Sequence, residues 1–164
     1  MWRRILFFII AAVVIILDQL TKLWVTSVSK VGDTFAQFGN LYFTHIQNTG
    51  AAFGIFQDQT IFLSIIALIG LVIIILFYRY ISLSSITGII ALGMVFGGAI
   101  GNLIDRIRIG YVTDFIYVRL WSDVFWPAFN IADSSISVGI CLLIWFILIS
   151  FKKETKDKVT ASTK

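Results

Sequence analysis

The chain has 164 residues, 59% of them apolar and 13% charged, with a net charge of +4 and a mean hydropathy of +0.94. Soluble domains are about half apolar and about a quarter charged, so this bias excludes a single soluble core, a disordered chain and a disulfide-stapled peptide. One cysteine, Cys141, and one histidine, His45, exclude an internal disulfide and any multi-cysteine or histidine-rich metal centre.

Crossing about 30 Å of hydrocarbon takes roughly 20 apolar residues as a helix. Residues 5–17 are an unbroken apolar run, continued on a helical period by Leu20, Leu23 and Trp24. Arg3 and Arg4 ahead of that run give it the look of a secretory signal, but no small-residue cleavage pattern follows, and a retained span is expected. Asp18 and Lys22 close it at i,i+4, the spacing and order of a structural ion pair.

The segment 27–60 is the first of two long connections. Phe35, Phe38, Leu41, Phe43 and Ile46 alternate imperfectly with polar residues, which predicts short strands turning at Gly39-Asn40. The run Asn48-Thr-Gly-Ala-Ala-Phe-Gly54 is small enough for backbone to approach a ligand. A second span is expected at 61–78 and a third at 86–104, joined by a short turn. Gly93, Gly97 and Gly101 repeat every four residues, a ridge for close helix packing, and Asn102 and Arg106 extend another face outward. The second long connection, 105–130, holds the strand-like Val112 to Val118 with Asp114 embedded in it, and Trp121 and Trp126 suit an interfacial belt. The fourth span, 131–151, carries one charge, Asp133, at its third position; Asn130 would cap it and Asp133 would favour its dipole. Cys141 is expected to pack within that span.

These elements predict an all-α membrane protein: four transmembrane helices, a small extracytoplasmic β-sheet and a short interfacial helix. Residues 1–151 form a single domain in this reading, and 152–164 a polar, mobile cytoplasmic tail. With both termini cytoplasmic, the inner side holds Arg3, Arg4, Arg79, Lys152, Lys153, Lys156, Lys158 and Lys164 against only Glu154 and Asp157, as the positive-inside rule asks. Anionic lipid, not nucleic acid, is the partner of such juxtamembrane charge.

Asp18, Asp105 and Asp133 all fall at the outer ends of their spans, with Asp114 in the adjoining connection. An ion or proton relay wants ionisable groups near the midplane, so this depth favours a site opening at the outer interface. A dimeric carrier, a serine–lysine peptidase built from Ser134 or Ser135 with Lys22, and a structural scaffold are the rival readings. The carrier lacks midplane charge, and the scaffold leaves Asn102, Arg106, Asp114, Asn130 and Asp133 unexplained.

Five ordered runs resemble those of bacterial lipoprotein signal peptidase, signal peptidase II. They are Asp18-Gln-Leu-Thr-Lys22, Asn48 to Gly54, Gly97-Gly-Ala-Ile-Gly-Asn-Leu-Ile-Asp-Arg106, Val112-Thr-Asp-Phe115 and Phe129-Asn-Ile-Ala-Asp-Ser135. The resemblance implies an aspartic endopeptidase of the bacterial cell membrane, cutting prolipoproteins just before a diacylglyceryl-modified cysteine, as a monomer and without metal or cofactor. It implies Asp114 and Asp133 as the catalytic pair. Asn48, Asn102, Arg106 and Asn130 would hold substrate or orient the pair, with Asp18, Lys22 and Asp105 in support.

Overall fold

The computed structural model describes residues 2–51, 55–82 and 85–162. In chain order they form α1 (Trp2–Val28), β1 (Thr34–Phe38), β2 (Leu41–Asn48), α2 (Thr60–Ser82), α3 (Ile86–Ile109), β3 (Val112–Trp121), β4 (Val124–Phe129) and α4 (Ile131–Ser162). α1, α3 and the Ile131–Ser150 part of α4 are long and apolar enough to cross a membrane, and α2 adds the shorter apolar stretch Thr60–Leu76. Large apolar side chains such as Phe8, Ile16, Leu20, Ile69, Leu76 and Leu148 are exposed, which in a membrane protein is the face offered to lipid. This is a multi-pass membrane protein.

α3 is the central helix and packs against the other three. Its glycine ridge is the reason α1 comes so near: a Cβ on Gly97 would lie 2.7 Å from the Ala11 carbonyl oxygen, and one on Gly93 3.0 Å from Ile10. On the other side a Cβ on Gly98 would meet the Ala132 carbonyl oxygen of α4 at 2.5 Å. Phe7, Ile89 and Leu92 fill the apolar half of the bundle, with Phe96 and Leu143 against them. Ser85 caps α3, its hydroxyl accepting from the Thr87 N–H, and Gly110 ends it at φ 83, where a side chain would be strained.

The four strands form one antiparallel sheet in sequence order. Gly39, at φ 58, makes the expected β1–β2 turn. Irregular register between Phe43 and Ile46, and again along β3–β4, accounts for the imperfect alternation of the sequence. The sheet is fastened to α1 by His45, whose Nδ1–H donates to the Ser29 carbonyl at 3.0 Å while its backbone pairs with Gly32 and Asp33.

Three expectations need correction. No separate interfacial helix occurs among the described residues; residues 112–129 are β-branched and aromatic enough to pair as the β3–β4 hairpin instead. Residues 152–164 are expected as a polar tail distinct from the fourth span, yet α4 continues to Ser162, through a stretch without glycine or proline. Cys141 is exposed on α4 and does not pack inward, because the Ile131–Ser150 part of that helix is apolar on most sides and its sequence does not mark the buried face. Of the glycine-containing run after Asn48, residues 52–54 lie outside the described residues.

Candidate active site

At the sheet end of the bundle, polar side chains from α1, α3, β2, β3 and α4 meet in one hydrogen-bonded cluster. Asp114 stands on β3 opposite Ile46, and Asn48 stands opposite Val112, so both side chains share one face of the sheet as diagonal neighbours. Asn48 Nδ2 donates to Asp114 Oδ2 at 2.8 Å, while its own Oδ1 accepts from the Gly50 N–H at 2.9 Å.

Asp133 is held by the start of α4. Asn130 and Asp133 form a reciprocal cap: the Asp133 N–H donates to Asn130 Oδ1 at 2.9 Å, and the Asn130 N–H donates to Asp133 Oδ2 at 3.2 Å. The cap expected from sequence is therefore present, and it leaves the Asn130 carboxamide nitrogen free to reach Asp114 Oδ1 at 2.7 Å. One residue thus touches both carboxylates. Asn102 Nδ2 completes the set by donating to Asp133 Oδ1 at 2.7 Å.

Asp114 is 1% exposed. Burial, and after it the neighbouring Asp133 charge, push its carboxyl up to about 7, against the pull of the Asn48 and Asn130 hydrogen bonds. A carboxyl in that state keeps its proton near neutrality, where an ordinary aspartate, at about 3.9, has lost it.

Behind this pair lies a second cluster. Lys22 Nζ is 2.8 Å from Asp18 Oδ2, the i,i+4 pair the spacing predicts, and 3.0 Å from Asp105 Oδ2. It also donates to Asn102 Oδ1 at 2.9 Å. Asp18 Oδ1 accepts from the Ala132 N–H at 3.0 Å, and Asp105 Oδ2 from the Thr113 N–H at 3.1 Å. Gly101 is what lets Asp18 in: a Cβ there would lie 2.5 Å from Asp18 Oδ2. The three acceptors around Lys22 match the three N–H bonds of an ammonium, so each of its donors is engaged. Ser134 Oγ donates to the Asn130 carbonyl at 2.9 Å, an ordinary in-helix contact.

Arg106 makes no ion pair with Asp105 among the described residues. Its Nη2 donates to the Gly50 carbonyl at 3.2 Å, which ties α3 to the chain after β2. Asn48, Asn102, Arg106, Asp133 and Ser134 line a cavity of about 630 Å³ whose remaining wall is mostly apolar, including Val112, Trp126 and Phe129. Asp133 is part of that wall, and Asp114 connects to it through the Asn48 amide.

All nine residues singled out in the sequence meet here, directly or through one neighbour. Sequence reasoning missed Gln19, whose Nε2 bridges Asp105 Oδ1 at 3.0 Å and the Gly101 carbonyl at 3.2 Å, and Thr113, whose backbone serves Asp105 and Asn130. Gln19 lies inside the Asp18 to Lys22 run, but an amide on a span reveals no partner until the rotation of α1 against α3 is known. The wall at Trp126-Pro-Ala-Phe129 carried no chemical signal, being apolar.

Comparison with known proteins identifies the family. Residues 10–149 match the family model described as signal peptidase (SPase) II. A lipoprotein signal peptidase of Clostridium tetani is 40% identical over 142 residues, covering 85% of this chain and 90% of its own. One from Dehalococcoides mccartyi is 38% identical, covering 92% and 93%. A bacterial membrane enzyme solved by the in meso method at 2.3 Å superposes with a TM-score of 0.80 at 36% identity, over 93% of this chain and 90% of that one. The chain belongs to the signal peptidase II family.

Proposed function

We propose that this chain is a membrane aspartic endopeptidase that removes signal peptides from diacylglyceryl-modified prolipoproteins, cutting just before the lipid-modified cysteine. The observation that carries the reading is the pair Asp114 and Asp133, joined through Asn130 and served, among the described residues, by neutral amide and backbone N–H donors, beside a cavity of mostly apolar wall. Two neighbouring carboxyls solvated in this way share one proton, which belongs to the pair.

Asp114 holds that proton, and ionised Asp133, in the cavity wall, is the base. Asp133 takes a proton from water as the water oxygen bonds to the scissile carbonyl carbon, and Asp114 gives its proton to the carbonyl oxygen. The resulting diol returns a proton to Asp114 as the C–N bond breaks. Asp133 passes its proton to the departing amine, and the pair regains its starting state. The site faces the extracytoplasmic interface, with both termini cytoplasmic, so the acyl chains of the substrate stay in the bilayer while the peptide reaches the pair. Asn48, Asn102, Arg106 and Asn130 orient substrate or pair, Asp18, Lys22 and Asp105 hold the frame, and the enzyme acts as a monomer without a metal.

The test is cleavage by purified protein, with EDTA present, of a diacylated prolipoprotein and of the same chain with a bare cysteine thiol. Cleavage of the diacylated form alone, or at least about tenfold faster, is expected. Equal rates would overturn lipid recognition, and loss on chelation restored by zinc would overturn the mechanism.

A further inference from the structure

Three carboxamides aim an NH₂ group at the aspartate pair, and each does so because its oxygen is held by a donor. The oxygen of Asn48 is held by the Gly50 N–H, and that of Asn130 by the Asp133 N–H. Both of those donors are backbone and cannot be removed by changing a side chain. The oxygen of Asn102 accepts from Asn130 Nδ2 at 3.1 Å and from the Lys22 ammonium at 2.9 Å. Asn130 Nδ2 also serves Asp114 Oδ1 at 2.7 Å and the Thr113 carbonyl at 3.4 Å, so its two hydrogens are spread over three acceptors. Lys22 is therefore the donor that decides which way the Asn102 amide faces.

We infer that Lys22 is a positioning residue for the reaction, acting through Asn102: it locks the carboxamide so that Asp133 meets an N–H donor and stays the ionised member of the pair. The inference rests on the dyad reading above. The chemistry at the two ends of the amide is what forces it. An ammonium only donates, so a flipped Asn102 would set NH₂ against ammonium on one side and oxygen against carboxylate on the other. With Lys22 present that state is closed. Without it, Asn102 is free to turn its oxygen to Asp133 and accept from a protonated carboxyl, which takes away the base. The other charges around Asp133 are Asp18 on α1, Asp105 and Arg106 on α3 and Asp114 on β3, and among the described residues none of these makes a hydrogen bond or ion pair with Asn102 Oδ1.

Lys22→Met alone strands two buried carboxylates and endangers folding, so the charge-balanced Lys22→Met/Asp105→Asn is measured against Asp105→Asn. The expected result is a kcat about 10- to 100-fold lower, with KM changed by no more than about twofold and the acidic limb of kcat moved to higher pH by roughly one unit. On an Asn102→Ala background the same Lys22 change should cost less than about threefold, because the amide it acts through is gone. A pH-independent loss, or the same loss with and without Asn102, would mean that Lys22 only holds the fold, and the inference would fall. A rate equal to that of Asp105→Asn would also overturn it. Asp133→Asn measured alongside separates the two ideas: if it retains turnover the dyad reading falls first, and if it is dead while the Lys22 variant is normal only the Lys22 role falls.

Discussion

Asp18 and Asp105 on one side, and Asp114 and half-buried Asp133 on the other, are two pairs of acids at the same end of the bundle, solvated in opposite ways. The first pair closes on a lysine ammonium at 2.8 and 3.0 Å. The second, among the described residues, takes its hydrogen bonds from amide and backbone N–H donors of Asn48, Asn102 and Asn130. Removing a carboxylate from water costs several kcal/mol, and an opposite charge in contact offsets part of that cost. Neutral donors offset less, so the pair they serve keeps an exchangeable proton. Counter-charge makes an aspartate part of the frame; amides leave it available for chemistry.

Isosteric removal of charge is the sharpest way to break this comparison. Asp114→Asn and Asp133→Asn should each lower kcat by roughly 10⁴-fold or more, with the double variant little worse, because the two act as a unit. Asp105→Asn keeps an acceptor for the Thr113 N–H and leaves Lys22 paired with Asp18, so its kcat should stay within about tenfold of wild type, with a loss of about 1–3 kcal/mol in stability. Turnover of purified, folded variants measures both. Near-normal rates for either dyad variant would remove that residue from the chemistry.

Much of this comparison was legible before the structure, for uneven reasons. Depth is written in hydropathy, so the acids could be placed at the ends of the spans. Local geometry is written in spacing, so the Asp18–Lys22 pair and the Asn130–Asp133 cap could be read directly. Assignment of Asp114 came from its motif, since an acid in a strand has no local excuse but also no visible partner. The bonds from Lys22 to Asn102 and Asp105 were not legible. They join positions about eighty residues apart and depend on how α1 is rotated against α3, which the glycine ridge permits but does not specify. The same gap hid Gln19, whereas Cys141 was misplaced because the sequence of α4 does not mark its buried face.

Arg106 tests whether charge alone matters on the cavity side. It donates through its guanidinium to the Gly50 carbonyl and makes no ion pair with Asp105 among the described residues. Gly50 in turn donates to Asn48, which serves Asp114, so the planar fork of arginine bears on the pair through one strand end. Arg106→Lys keeps the charge and loses the fork. We expect kcat/KM to fall about 10- to 100-fold with insertion and folding intact. Wild-type kinetics would show that positive charge at the cavity suffices.

The shared proton gives a smaller, graded signature. Asp114 keeps it up to about pH 7, so kcat should decline as pH rises through that region, approaching about tenfold per unit beyond it. The sign follows from the raised value: an ordinary aspartate would already be ionised at neutrality, and the decline would begin near pH 4. On the acid side, a second proton on the pair removes the base, which gives a bell-shaped profile whose limits belong to both residues. A profile flat from pH 6 to pH 9, measured with diacylated substrate, would contradict amide-only solvation of an active pair.

The smallest effect is expected at the serines, and it decides what kind of nucleophile the cavity serves. Ser134 lines the cavity, yet its hydroxyl donates to the Asn130 carbonyl one turn back. Ser135 is buried. A serine nucleophile needs a base within hydrogen-bond reach, and Lys22 spends its three N–H bonds on Asp18, Asp105 and Asn102. Ser134→Ala, Ser135→Ala and the double variant should therefore turn over within about threefold of wild type, since an in-helix serine back-bond contributes little. A loss beyond about 100-fold at either serine, with the protein folded, would place a covalent intermediate in the cavity. Lys22 would then have to leave its two carboxylates during turnover, and the division between a charged frame and a neutral-solvated pair would not hold.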